Sequence, residues 1–125
     1  LTAVRFPTLP KRTGWSILEV ARRHGDFGLA GVVAIVGLAP DGAIASARLV
    51  LFGVGATPIR AAAAEAMLSG REGDPRLFAE VAAKAAADLD EPLSDVHATA
   101  EYRRDLARVL TRRALAEATV RARAA

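Results

Sequence analysis

The stretch from Gly28 to Val54, GLAGVVAIVGLAPDGAIASARLVLFGV, decides the fold of this 125-residue chain. Its first half is apolar and rich in β-branched residues. In its second half, successive residues alternate between two faces, which is the pattern of a strand. Pro40-Asp41-Gly42 lies between the two halves and is a strong turn signal. The pattern predicts an antiparallel hairpin of two strands, Gly28 to Leu38 and Ile44 to Val54. The first strand is apolar enough that both of its faces are expected to be covered.

The chain before the hairpin carries two shorter patterns and a charged turn. Thr2 to Phe6 alternates polar and apolar residues and is predicted to form a strand. Trp15 to Val20 fits either a strand or one helical turn. Residues 19–27, EVARRHGDF, follow as a charged turn that closes at Gly25-Asp26 and leads into the apolar strand.

Three helices are predicted after the hairpin. The first is the alanine-rich segment Arg60 to Ser69. The second runs from Leu77 to Leu89, and Asp74-Pro75 before it resembles an N-cap followed by proline in the first turn. The third is the long last helix, which either Ser94-Asp95 or Thr99 caps.

Strands followed by helices indicate an α+β fold, in which a small antiparallel sheet packs against three helices. A chain of 125 residues has the size of a single domain, so residues 1–125 are predicted to form one. Apolar residues make up 52% and charged residues 25%, which is a globular composition.

The composition also excludes several function classes. The chain has no cysteine, which excludes disulfides, a thiolate nucleophile, and iron–sulfur or cysteine–zinc ligation within it. No apolar run reaches the length of about 18 residues that a membrane span needs, so none is expected. These features suit a cytoplasmic protein.

The net charge of +3 comes from arginines in the charged turn and in the last helix. Aromatic residues are only 5%, too few for base-stacking platforms, so a solvated helix face is favoured over nucleic-acid binding. On that helix Arg104, Arg108 and Arg112 form one polar stripe. Arg113 and Glu117 instead fall on the apolar side. Either Arg113 lies along the core edge and pairs with Glu117 or another carboxylate, or this side meets another domain.

No self-contained active site is predicted. His24 and His97 are the only histidines, and neither has a second ligand at metal-binding spacing. Gly53 and Gly55 lack the third glycine of a dinucleotide fingerprint. We therefore expect no catalytic residue and no metal site within the chain.

Four segments in order carry a family resemblance: Arg22 to Gly31, Arg48 to Ala61, Ser94 to Arg104, and Arg112 to Leu115. In this series the chain closely resembles the C-terminal domain of the FAD-carrying medium subunit of molybdenum hydroxylases. That family includes carbon monoxide dehydrogenases and xanthine dehydrogenases. The resemblance runs from about Val4 to Arg121.

The resemblance implies the same α+β fold, preceded in the family by an FAD-binding domain that is absent from this chain. In the family the loop that matches Val20 to Ala30 borders the flavin. Carried over by position, the cofactor-binding residues are Glu19, Arg22, Arg23 and Asp26. The turn is closer to that of the carbon monoxide dehydrogenase-like members.

The implied chemistry is shared among subunits. A large subunit with the molybdenum cofactor oxidises the substrate, and electrons cross two [2Fe-2S] clusters in a small subunit to FAD and then to an acceptor. This domain would close the FAD site and dock subunits, without catalysis when isolated. The alternative is a non-enzymatic interaction module that uses the arginine-rich last helix.

Overall fold

An antiparallel sheet of four strands, side by side in chain order, forms the centre of the computed structural model, which describes residues 1–125. The elements are β1 Thr13–Val20, β2 Ala30–Leu38, β3 Ile44–Phe52, β4 Ile59–Arg60, α1 Ala62–Ala66, α2 Pro75–Ala87 and α3 Ala100–Ala124. Helix α3 packs on β1 and β2, and α2 packs on α3. The predicted α+β architecture, a small antiparallel sheet with three helices, is confirmed.

The predicted hairpin is present as β2 and β3. Val33 lies opposite Val50 in an antiparallel register that shifts once, near the turn. In the turn, Asp41 Oδ1 accepts a hydrogen bond from the Ala43 N–H at 3.0 Å. The short polar side chain thus supports the local backbone, which is why aspartate favours turns.

One face of the sheet, the inner face, is covered by helices. Alternate β2 side chains from Ala30 to Leu38 are buried there among small and branched residues. Gly14 of β1 lies so close to α3 that a Cβ would overlap the backbone at Ala118 and Ala122. The close approach lets the alanines of α3 pack directly against the sheet.

The opposite, outer face is only partly covered, so the expectation that both faces of β2 are covered is confirmed in full only for the inner face. Val33 and Ile35 are half-buried on this face. Their β1 neighbours Ile17 and Trp15 are 56% and 48% exposed. No helix lies across this face, although the Arg121 guanidinium of α3 lies 5.0 Å from the centre of the Trp15 ring. On the other side, Val33 and Ile35 lie opposite Val50 and Arg48 of β3.

The predicted strand from Thr2 to Phe6 is wrong, because residues 1–10 form no strand and are exposed. β1 is an edge strand that pairs only with β2, and the first residues find no partner. The ambiguous segment from Trp15 to Val20 is a strand, as part of β1.

Two helices begin with the predicted caps. At α2, Asp74 Oδ1 accepts a hydrogen bond from the Leu77 N–H at 2.8 Å, and Pro75 is the first helical residue. At α3, Thr99 Oγ1 accepts one from the Tyr102 N–H at 3.1 Å. Of the two candidates, Ser94-Asp95 and Thr99, it is therefore Thr99 that caps α3.

The first helix is shorter than the predicted segment from Arg60 to Ser69. Arg60 lies in β4 opposite Val50, so it belongs to the sheet. Only five residues, Ala62–Ala66, then form α1.

Glu65 fastens this short helix to the sheet edge. Its carboxylate is 7% exposed, accepts a hydrogen bond from the Leu49 N–H at 2.9 Å, and receives the Arg60 guanidinium at 2.7 Å. Burial raises the pKa of Glu65, but the hydrogen bonds from Arg60 and Leu49 and the charges of Arg60 and Arg48 outweigh it and hold the pKa below its ordinary value. The ionised carboxylate is thus the stable form.

The last helix differs from the expected pattern at its apolar side. Arg113 and Glu117 are both exposed. Glu117 Oε2 accepts a hydrogen bond from Ser16 Oγ at 2.9 Å, which ties α3 to β1. Arg113 forms no ion pair, so the alternative in which it pairs with Glu117 or another carboxylate is wrong.

Candidate functional site

Three loops meet at one end of the sheet, which we call the loop end. They are the charged turn 21–29 between β1 and β2, the corner 53–58 after β3, and the segment 88–99 before α3. Three of the four segments that carry the family resemblance run through these loops. Segments that lie far apart in the sequence are therefore neighbours in the structure.

Arg103, in the first turn of α3, joins the three loops. Its side chain is 4% exposed. Nη1 donates to the carbonyl oxygens of Leu29 and, at 2.9 Å, Gly53, while Nη2 donates to Asp95 Oδ2 at 2.6 Å. A buried guanidinium needs such partners, and here each loop supplies one.

Gly53 can lie at this junction because it has no side chain. Its φ is +72°, and a Cβ would approach the Gly28 carbonyl oxygen at 2.7 Å. The corner after β3 therefore fits closely against the end of the charged turn. A substitution at Gly53 would strain the backbone and separate the two loops.

Asp95 holds the segment before α3 in shape. Its Oδ1 accepts hydrogen bonds from the backbone N–H groups of His97 at 2.8 Å and Ala98 at 3.0 Å. These bonds, followed by the bond and charge of Arg103, keep the pKa of Asp95 below its ordinary value. The carboxylate stays ionised opposite Arg103 over the physiological range.

In the charged turn, Asp26 lies between two arginines. Its Oδ2 is 3.8 Å from Arg22 Nη2 and 3.5 Å from Arg23 Nε. All three side chains are partly exposed, so each pair stabilises the fold by at most about 1 kcal/mol. The turn therefore keeps its charges available at the surface.

Two of the four predicted cofactor-binding residues share a cavity. Glu19 and Arg23, together with His24, line a surface cavity of about 360 Å³. Arg22 instead extends to the neighbouring loop, where its Nη1 is 2.8 Å from His97 Nδ1. Since arginine only donates, Nδ1 is the acceptor. Asp26 lies between the two arginines, as described above.

Sequence reasoning missed Asp95, His97 and Arg103 as parts of this site. From the sequence, His97 is either an ordinary loop histidine or a metal ligand without a second ligand, and no spacing links it to Arg22. The one available signal was the segment Ser94 to Arg104 within the family resemblance, which contains all three residues.

Each of the two loops joined by Arg22 also exposes a large apolar side chain. Phe27 in the charged turn is 99% exposed, and Val96 before α3 is 95% exposed. Single exposed apolar residues are common, but here they lie on loops that also carry a cluster of charges. The loop end thus combines donors, acceptors and apolar surface.

Most of the chain matches the model of a known protein family. Residues 15–118 match the family model described as the CO dehydrogenase flavoprotein C-terminal domain. The chain belongs to this family. The match includes most of β1, all of β2 to β4, α1 and α2, and most of α3, and with them all three loops of the loop end.

Two proteins similar to this chain are named as subunits of dehydrogenases. The chain is 41% identical over 97% of its length to caffeine dehydrogenase subunit beta of Pseudomonas sp. strain CBB1, covering 40% of that protein. It is 37% identical over 98% of its length to 6-hydroxypseudooxynicotine dehydrogenase complex subunit alpha of Paenarthrobacter nicotinovorans, covering 41% of it. The chain thus spans about two fifths of these relatives.

A solved structure shows the same fold. It is the carbon monoxide dehydrogenase from Hydrogenophaga pseudoflava that lacks the Mo-pyranopterin moiety of the molybdenum cofactor. The TM-score is 0.85 at 31% identity, over 92% of this chain and 39% of the matched chain. None of the three helices combines the length and the apolar character that a membrane-spanning segment needs.

Proposed function

We propose that this chain is one domain, the C-terminal part of the flavoprotein (medium) subunit of a molybdenum-containing hydroxylase or dehydrogenase, and that its loop end closes one side of the FAD site. The cavity that Glu19 and Arg23 share beside the Arg22–Asp26 pair is the observation that carries this proposal. The family membership supplies the class of cofactor. The remaining wall of the site would belong to a preceding FAD-binding domain.

The side chains at the loop end fit FAD by their chemistry. FAD presents phosphate and ring carbonyl oxygens, which are acceptors for guanidinium groups, and Arg22 and Arg23 are partly exposed donors at this surface. Glu19 is an acceptor only, which suits a donor such as a ring N–H. Exposed Phe27 offers apolar surface on the same turn.

Bound FAD would carry electrons from the metal centres of other subunits to an external acceptor. This chain's residues would position its edge. Asp26 restrains Arg22 and Arg23, while Arg103 and Asp95 keep the turn in register with its neighbouring loops. The partners proposed are a large subunit with the molybdenum cofactor and a small subunit with [2Fe-2S] clusters, in the cytoplasm.

Replacing both turn arginines in the assembled complex tests the proposal. We expect Arg22→Ala with Arg23→Ala to slow flavin reoxidation about tenfold, the equivalent of one hydrogen bond to a charged group. Stopped-flow spectra should show an unchanged rate of molybdenum reduction, and a titration should show a shifted flavin midpoint potential.

The matched control is Arg76→Ala, which removes an arginine that is 90% exposed on α2. It should leave both rates and the potential unchanged. Equal slowing of molybdenum reduction and flavin reoxidation in the turn variant would remove these arginines from the flavin edge.

A second test uses the isolated 125-residue chain. We expect it to bind FAD weakly or not at all, because it supplies only one side of the site, and linking it to the preceding domain should restore a flavin spectrum. Tight binding of FAD by the isolated chain would contradict the proposed division between the two domains.

A further inference from the structure

Two neighbouring arginines in the middle of α3 have no partner within the chain. Arg112 and Arg113 are both exposed and make neither an ion pair nor a side-chain hydrogen bond. The other arginines of the helix all do. They are Arg103, Arg104, Arg108, Arg121 and Arg123. The two free guanidinium groups also belong to the one resemblance segment that lies away from the loop end.

These arginines border a cavity between the start of α2 and the second half of α3, which we call the α2–α3 cavity. Its volume is about 400 Å³, within the range of roughly 300–1,000 Å³ for ligand pockets. Phe78 and Thr119 are buried among its lining residues, and Val120 is 64% exposed there. The Thr119 hydroxyl oxygen is buried without a hydrogen-bond partner.

The rim of the cavity keeps a positive charge. Arg112, Arg113 and Arg123 all line it. The nearest carboxylate along α3, Glu117, is engaged by Ser16. Asp74, before α2, accepts from the Leu77 N–H as a helix cap. Neither carboxylate forms an ion pair with a rim arginine.

The positive surface continues along the seam between the two helices. A second, smaller cavity of about 210 Å³ lies there, lined by Arg108 and Arg112 and by alanines of α2. Arg112 lines both cavities. The seam therefore carries two neighbouring cavities that share Arg112, and together we call them the groove.

We propose that the α2–α3 cavity docks an acidic segment of another subunit of the complex. Carboxylates of that segment would pair with Arg112 and Arg113, while one of its apolar side chains would cover Val120 and reach Phe78. Such an arrangement joins an apolar anchor to complementary charge, as in specific protein interfaces. The inference rests on the proposed function, because it requires a complex of several subunits.

The shape of the surface favours an acidic protein segment over nucleic acid. Single strands bind to grooves with exposed aromatic platforms, whereas the only aromatic side chain lining this cavity, Phe78, is 4% exposed. The chain's net charge of +3 is also modest for a phosphate-binding surface.

Charge reversal in the full-length subunit tests the docking. We expect Arg112→Glu with Arg113→Glu to weaken assembly with the partner subunits about a hundredfold, measured as the dissociation constant by analytical ultracentrifugation. Assembly of the unmodified subunit should also weaken with added salt. Bound flavin, measured by absorbance, should stay unchanged in the variant, since the loop end is intact.

The matched control is Arg5→Glu with Lys11→Glu, which makes the same change in net charge at two exposed cations outside the groove. It should assemble normally. An unchanged dissociation constant in the Arg112 and Arg113 variant would overturn the docking proposal and leave the flavin proposal standing. Loss of flavin together with assembly in that variant would also overturn it, by assigning these arginines to the flavin-binding fold.

A photo-reactive amino acid in place of exposed Ala116, on the cavity wall, provides a second measurement in the assembled complex. Mass spectrometry should identify a cross-link to a segment rich in aspartate or glutamate in a partner subunit. Cross-links only within this chain, to a basic segment, or to nucleic acid would overturn the proposal.

Discussion

Arg103 and Arg112 lie on the same helix, but their guanidinium groups have opposite surroundings. Arg103 is 4% exposed and donates three hydrogen bonds to three loops of its own chain. Arg112 is exposed and has no partner within the chain. The difference teaches that arginines of one helix can have opposite roles: Arg103 joins three loops of the domain, whereas Arg112 contacts no partner within the chain.

The largest effect should come from removing the buried member. We expect Arg103→Met to lower the free energy of unfolding of the 125-residue chain by about 3 kcal/mol, because it leaves two carbonyl oxygens and Asp95 without their donor. Urea denaturation measures the loss. Arg108→Met, which removes a side chain 57% exposed, should cost less than about 0.5 kcal/mol. Similar losses of unfolding free energy in both variants would contradict the distinction between the buried and the exposed arginine.

Glu65 extends the comparison to a buried carboxylate. We expect Glu65→Gln to lower the free energy of unfolding by about 1–2 kcal/mol at pH 7, because Arg60 and Leu49 then donate to a neutral group. The folded-state pKa of Glu65 lies below its ordinary value of 4.5, so the ionised form contributes its full stabilisation above that pH.

The stabilisation that the Glu65 carboxylate contributes should depend on pH, and the lowered pKa fixes the direction of the change. As the pH falls below about 4.5 and through the lower folded-state pKa, the stabilisation is lost, and the difference between Glu65→Gln and the unmodified chain should narrow. Urea denaturation at pH 7 and at pH 3 measures this difference. A difference that stays constant or grows in acid would show that the ionised carboxylate is not the source of the stabilisation.

The smallest effect should come from the free arginines. Arg112→Ala and Arg113→Ala should each change the free energy of unfolding of the isolated chain by less than about 0.5 kcal/mol, because no partner within the chain is lost. Thermal denaturation followed by circular dichroism checks this. A loss as large as that of Arg103→Met would mean that these side chains belong to the fold and are not available for docking.

The sequence predicted features that depend on local chemistry. Pro40-Asp41-Gly42 marked the hairpin turn, and Asp74-Pro75 marked the start of α2. The alternation of Thr2 to Phe6 failed because a strand needs a neighbour, and a periodic pattern does not say whether one exists.

Arg103 was missed for a related reason. The sequence around Arg103 is typical of a solvated helix start. The residues that accept its hydrogen bonds, Leu29 and Gly53, lie 74 and 50 residues away. Burial created by converging loops leaves no local pattern in the sequence.

The candidate site was likewise predicted only in part. The family resemblance selected Glu19, Arg22, Arg23 and Asp26, and the structure places Glu19 and Arg23 in one cavity. Their contact with FAD stays a prediction. The link from Arg22 to His97 spans 75 residues and arises only from the packing of the loops.

The close contact between β1 and α3 has a consequence for biosynthesis. Ser16 and Glu117 meet across 101 residues, and Gly14 accepts the backbone of α3 beside them. The inner face of β1 therefore stays uncovered until α3 has left the ribosome. Contacts of such long range fold slowly and leave apolar strand surface exposed meanwhile. A nascent chain stalled before α3 is complete should thus be a substrate for chaperones.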